Sequence, residues 1–204
     1  MVSARLRALV RCPDCRSPLW EEAGRLSCPN CARAVDTTGG YLDLRPATAF
    51  SETTKYTDAA LHADARHERV SPALLGAGVR NAMLRAFLDL GPNDRVVDLG
   101  CGSGRTMAWN RDTRAWFVGV DVSPYFAHEA LADHDLVLGD LRRLPVPDGS
   151  FDKAWSLDVF EHLSIDALQE MLREANRMLP PGGALFVNRQ VRKNPGVATG
   201  RRAT

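Results

Sequence analysis

Val96-Val97-Asp98-Leu99-Gly100-Cys101-Gly102-Ser103-Gly104 is the stretch that decides the fold. An apolar run carrying one aspartate leads straight into a turn with glycine at three alternate positions. Glycine serves where a backbone must take positive φ or let a ligand come close, and in an open α/β sheet nucleotide-like ligands sit at the carboxyl ends of strands. A dinucleotide fold uses G-x-G-x-x-G beside a pyrophosphate. Here the spacing is G-x-G-x-G and the acid Asp98 precedes it, a poor neighbour for phosphate and a good one for a cation.

Further apolar runs repeat the arrangement. Trp116–Val120 ends on Asp121, with Ser123 and Pro124 read as the N-cap and first residue of the next helix. Asp121 lies 23 residues after Asp98, the distance at which an acid at the end of a second strand accepts ribose hydroxyls. Leu136–Leu138 ends in Gly139-Asp140, and Lys153–Leu157 leads into Asp158-Val159-Phe160-Glu161-His162-Leu163. Apolar runs that each end in polar or acidic residues predict one crevice at the carboxyl ends of a parallel sheet.

In order, Val96–Gly104, Val118–Ser123, Val137–Pro145 with Phe151-Asp152, Val159–Leu163 and Leu179–Val187 resemble the motifs of class I S-adenosylmethionine-dependent methyltransferases, over residues 79–188. At Val159–Leu163 the resemblance is to the small-molecule type. It implies a doubly wound, mainly parallel α/β sheet of the Rossmann-like kind, with S-adenosyl-L-methionine as cofactor. It places Asp98, Gly100, Gly102 and Gly104 around the methionyl part, Asp121 at the ribose and Asp140 with Leu141 at the adenine, with Cys101, Val122 and Leu157 in the same cofactor-binding set. Asp158–Leu163 would then lie beside the transferred methyl. In-line displacement at a sulfonium needs the acceptor held in line and, for a hydroxyl or acidic carbon, a base. His162 is the candidate base and Asp158 or Glu161 the runner-up, with a structural role for His162 left open. The family's domain continues with a further helix and two strands. Residues 188–204 instead carry five basic residues and no acid, so the sheet is expected to stop after a fifth strand, Ala184–Val187. One edge would be left open to a second copy or a partner subunit.

Cys12-Pro13-Asp14-Cys15 and Cys28-Pro29-Asn30-Cys31 are two C-x-x-C knuckles with twelve residues between them. In a reducing compartment this spacing asks for four thiolates around one tetrahedral Zn²⁺, a closed structural site, with an iron centre as the chemical alternative. From Val10 to Leu44 the segment is similar to the zinc ribbon that precedes the catalytic domain in many bacterial methyltransferases, and to the zinc-binding activator subunit of some tRNA and ribosomal methyltransferases. Such a ribbon either recognises a substrate or partner or covers an apolar face of the larger domain.

The rest of the chain sets the bounds. With 204 residues, 45% hydrophobic, 25% charged and a net charge of +1, it has the composition of an ordinary soluble globular protein. No run approaches a membrane span and the first residues lack the core of a signal peptide, so the cytoplasm is the expected compartment. Residues 1–50 carry seven arginines against five acids, too small an excess to read as an RNA footprint. The organisation read from this is a zinc ribbon over 1–46, a linker with short helices over 47–78 holding His62 and His67, a catalytic domain over 79–188 and a disordered basic tail over 189–204. Val79, Ala82, Met83, Ala86, Phe87 and Leu90 predict one inward helix face. Ser164 predicts the cap of a second amphipathic helix with Ile165, Leu168, Met171, Leu172, Ala175, Met178 and Leu179 inward. Three functional readings stand: methyl transfer to a small molecule, favoured; an rRNA or tRNA methyltransferase of the guanine-N1 sort; and a catalytically silent relative that binds the cofactor or a partner.

Overall fold

The computed structural model describes residues 2–47, 75–124 and 126–188. The predicted linker histidines and the basic tail lie outside the described residues. The chain begins with α1 (Ala4–Leu9), then a small antiparallel sheet of β1 (Trp20–Glu22), β2 (Arg25–Ser27) and β3 (Ala34–Asp36), then a short β4 (Leu42–Asp43). After α2 (Leu75–Leu88) come β5 (Arg95–Leu99), α3 (Arg105–Trp109), β6 (Trp116–Asp121), α4 (His128–Asp133), β7 (Asp135–Leu138), β8 (Lys153–Leu157), α5 (Ile165–Met178) and β9 (Ala184–Asn188). The main sheet has the order β4-β7-β6-β5-β8-β9, with every pair parallel.

The strands read as continuous apolar runs because both faces are covered. Alternate residues divide cleanly. Val97, Leu99, Val118, Val120 and Val137 point into one core with Met171, Ala175 and Met178 of α5. Val96, Phe117, Leu136, Leu138 and Trp155 point into the other, with Leu84 and Leu88 of α2, Met107 of α3 and Ala130 of α4.

Four expectations are corrected, the last on α5. The sheet has six strands where five were expected, because the chain leaving the cysteine ribbon adds β4 beside β7, pairing Leu42 with Val137 and Asp43 with Leu138. Leu44 continues this edge, its N–H donating to Leu138 O at 2.8 Å. The opposite edge, β9, pairs only with β8 among the described residues. Second, the face of α2 expected to point inward is outward: Val79, Met83 and Phe87 are 56%, 58% and 60% exposed, and it is Leu84 and Leu88 that are buried. A turn spacing of i, i+4 suffices to anchor a helix packed at one side of the sheet, where it meets β9 and Phe87 touches Phe186 with ring centroids 5.8 Å apart. Third, Ser123 does not cap α4, which starts at His128 after Ala127. The Ser123 N–H instead turns back to Asp121 Oδ1 at 2.9 Å. On α5 the Ser164 cap is present, its hydroxyl accepting from Ala167 N–H at 3.2 Å, and Met171, Ala175 and Met178 are buried. Ile165 and Leu172 face outward, and Glu174 takes a buried place.

The ribbon segment shares the main core. Val2, Leu6 and Val10 of and around α1, Leu26 and Val35 paired across β2 and β3, and Leu42 and Leu44 are all buried in the cluster that holds Val97 and Val120. Polar contacts follow the same seam. Asp135 at the start of β7 accepts from Ser3 N–H, the Ser3 hydroxyl and Trp116 Nε1, and the Arg5 guanidinium lies 4.1 Å from the Trp116 ring centroid. Leu6→Ala, at a fully buried position, is therefore expected to destabilise the whole chain by about 2–5 kcal/mol. Urea unfolding followed by tryptophan fluorescence should show one shifted transition; a separate early transition with the main one unmoved would contradict a shared core.

Candidate cofactor site and cysteine cluster

β5 lies between β6 and β8, and the chain leaves it in opposite directions on its two sides, so the crevice opens above its carboxyl end. The glycine turn closes directly onto β6, with the N–H groups of Gly100 and Cys101 donating to Val120 O at 2.8 and 3.0 Å. Two of its glycines are required. Gly100 has φ +87° and Val159 occupies the place a Cβ would take; Gly104 has φ +81° and a Cβ there would lie 2.5 Å from Ala130 Cβ. The turn is thus pressed between the loop after β8 and α4.

Acids surround this turn. Asp121, at the end of β6, accepts from Gly102 N–H through Oδ2 at 2.7 Å and from Ser123 N–H through Oδ1 at 2.9 Å. A carboxylate oxygen can accept more than one hydrogen bond, which is the chemistry that hydroxyl donors use. Asp98, paired in register between Gly119 and Trp155, is 3% exposed. Burial raises its carboxyl to about 7 and the Asp121 charge adds to this, while the nearby Trp155 indole offsets part of it. Asp140, in the loop after β7, is held by Arg142, whose Nη2 reaches Oδ2 at 2.7 Å and whose backbone N–H reaches Oδ1 at 2.9 Å. Val122 and Leu141 are half-buried on the loops after β6 and β7, and Leu157 is half-buried at the end of β8. Cys101 turns its thiol into the core beside Met107 and Gly119, where burial raises it well above its ordinary range. The same thiol lies 3.8 Å from Gly102 O of the turn.

The loop after β8 brings the candidate reactive residues to the same lip. Asp158 has φ +57°, a left-handed conformation uncommon for a residue with a side chain. Its N–H donates to Asn188 O at 3.1 Å and its Oδ2 accepts from Arg80 Nη1 of α2 at 2.6 Å. Arg80 carried no signal in the sequence, since the contact spans 78 residues. Asp158 Oδ1, Glu161 Oε2 and Ser123 Oγ are buried atoms with no hydrogen-bond partner among the described residues, so unmet hydrogen-bonding capacity gathers on the loops after β6 and β8. His162 ends the short 3₁₀ helix Phe160–His162 and is exposed, with its backbone N–H on Val159 O. A crevice of this kind, with carboxylates at its floor and walls, suits a ligand carrying hydroxyls and a cation and repels phosphate.

The four ribbon cysteines converge as the spacing predicts. Their sulfur atoms all lie within 4.8 Å of one another, with Cys12 and Cys31 at 3.5 Å and Cys15 and Cys28 at 3.4 Å. A tetrahedron of metal–sulfur bonds of about 2.3 Å has edges of about 3.8 Å, so the donor set fits one soft divalent ion. Burial pushes Cys12 up to about 12, whereas the Ser17 hydroxyl and N–H lower Cys15 to about 6.

Comparison with known proteins agrees with this geometry. Residues 97–187 match the family described as methyltransferase domain. The chain is 34% identical over 110 residues to the methyltransferase GfsG of Streptomyces halstedii, covering 49% of this chain and 39% of that protein. It is 30% identical over 158 residues to the 27-O-demethylrifamycin SV methyltransferase of Amycolatopsis mediterranei, covering 72% and 48%. Among solved structures it superposes on the [4+2]-cyclase SpnF with a TM-score of 0.51 and 27% identity, covering 59% of this chain and 47% of that one. The chain spans between a third and a half of the length of the curated relatives it matches. Among the described residues no helix is long and apolar enough to cross a membrane. The glycine turn, the acids after successive strands, and the match over 97–187 point the same way: this part of the chain is similar to methyltransferase domains.

Proposed function

We propose that this chain transfers the methyl group of S-adenosylmethionine to a small-molecule acceptor, and that its four cysteines hold a structural zinc ion. The observation that carries the reading is the placing of Asp98, Asp121 and Asp140 in and after three adjacent parallel strands around one glycine turn. Asp121 would take the ribose hydroxyls, Asp98 would face the cationic methionyl end, and Asp140 with Leu141 would border the adenine. The cofactor supplies the electrophilic methyl; the chain's own residues orient it and exclude water. Asp158 Oδ1, fixed by the Arg80 pair on its other oxygen, is the group we assign to accept the hydrogen of an acceptor hydroxyl or N–H, with His162 at the lip as the alternative base. The relative named as a 27-O-demethylrifamycin SV methyltransferase supports a small-molecule acceptor. The likeness to a [4+2]-cyclase supports a second reading, cofactor binding without methyl transfer.

Calorimetric titration of the zinc-replete chain with S-adenosylmethionine and S-adenosylhomocysteine is the deciding experiment. Micromolar binding is expected, and a folded, monodisperse sample that binds neither would overturn the reading. Mass-spectrometric detection of a methylated acceptor then separates the transferase from the binding-only alternative. Asp121→Ala should weaken cofactor binding by about 1–3 kcal/mol, the cost of unpairing ribose hydroxyls; unchanged affinity would remove Asp121 from the site.

The pH dependence has a definite sign. Asp98 is raised to about 7 in the folded chain, above its unfolded range, so the native state holds the extra proton. Stability from this group is therefore lost as pH rises towards 7. Asp98→Asn removes that loss, and its melting temperature should exceed wild type by about 2–6 °C at pH 8 with little difference at pH 4.5. Binding a cation to ionised Asp98 must expel the proton below pH about 7, so cofactor affinity should fall from pH 8 to pH 6 in wild type and lose that slope in Asp98→Asn.

A further inference from the structure

The loop that follows β7 is held from outside. Leu144 O accepts from Arg16 Nη1 at 3.1 Å and from Arg177 Nη2 at 3.1 Å. Pro145 O accepts from Arg11 N–H at 2.7 Å, and Val146 O from Arg177 Nη1 at 2.8 Å. Of these four bonds, two come from α5 and two from the cysteine ribbon. The same loop begins with Asp140 and Leu141, and its first turn is closed by Arg143 N–H on Asp140 O at 3.0 Å. The buried Leu144 side chain packs against Gly139, where a Cβ would lie 3.3 Å from Leu144 Cδ2.

Arg16 is held by the first cysteine knuckle. It follows Cys15 with φ +61°, its N–H donates to Cys12 O at 2.8 Å, and Cys12 N–H donates to Ser17 O at 2.9 Å. From that backbone the guanidinium reaches over to Leu144 O and, through Nη2, to Glu174 Oε1 at 3.5 Å. The Glu174 side chain is 9% exposed and is shared with Arg177 at 2.7 Å. A long side chain that satisfies a carbonyl and leans on a buried carboxylate is fixed at both ends, so a change in the knuckle passes to the loop.

We propose that Arg16 is a positioning residue for the adenine side of the cofactor site. The Cys12–Cys15 knuckle, organised by its metal, sets the Arg16 backbone; Arg16 holds the Leu144 carbonyl; and the loop so held keeps Asp140 and Leu141 in place. Metal occupancy in the ribbon and cofactor affinity in the crevice are then coupled. This rests on the cofactor reading of Asp140 and Leu141 given above.

The test uses the full chain loaded with zinc. Arg16→Ala should keep its zinc content and its melting temperature close to wild type, yet bind S-adenosylhomocysteine about five- to tenfold more weakly, at the low end of ordinary coupling between sites. Amide hydrogen exchange should rise in residues 140–147 and stay unchanged in β5 and β6. Arg16→Lys keeps the charge and offers a single donor head, and should fall between the two; it also carries the comparison if the alanine variant does not fold. Wild type stripped of zinc by a chelator should show the same local rise in exchange. Equal affinity and equal exchange in Arg16→Ala and wild type would overturn the proposal. If wild type itself binds no S-adenosylhomocysteine, the cofactor reading fails, and the exchange of residues 140–147 still decides whether Arg16 holds the loop.

Discussion

Everything at the site depends on the central strand β5 being paired on both sides by strands that the chain reaches in opposite directions. β6 lies on one flank and β8 on the other. The connections therefore diverge at the carboxyl end of β5 and leave a gap between them. The backbone that crosses this gap has to turn within a few residues of the strand end, with Val159 against one glycine and Ala130 against another. A side chain at either place would separate the layers. The glycines are thus a packing requirement as well as an approach route for a ligand.

Cover for the sheet comes from an unusual division. One face is packed by α2, α3 and α4, in the manner of doubly wound folds. On the other, α5 shares the work with the amino-terminal segment, whose Leu6, Leu26, Val35 and Leu42 are as buried as the strand residues they touch. β4 then protects the β7 edge by direct pairing. Of the two roles the sequence left open for the ribbon, covering an apolar face is one it performs. The small unit that carries the four cysteines thereby shares the core of the larger domain, and disruption of its knuckles has consequences beyond them.

The electrostatics of the crevice run against stability. Asp98 is buried between two strands, and Asp158 is held in a left-handed conformation by Arg80 and Asn188. Buried acids and strained backbone persist where the surroundings over-determine them, and the unmet acceptors Asp158 Oδ1 and Glu161 Oε2 lie in the same loop.

The sequence by itself determined the parallel α/β class, the extents of β5, β6, β7, β8 and β9 to within a residue or so, the glycine turn, the acids that follow the strands and the cysteine quartet. Each is carried by local signals: apolar runs, glycine spacing and C-x-x-C pairs. Tertiary structure decided the rest. Leu42-Asp43 is too short to announce a strand and becomes one only because β7 offers an edge. The face that α2 buries is set by where the sheet ends, which periodicity does not contain. The Arg80–Asp158 pair and the Arg16–Leu144 bond join residues 78 and 128 positions apart. Such contacts have no local signature, because they exist only once the layers have packed.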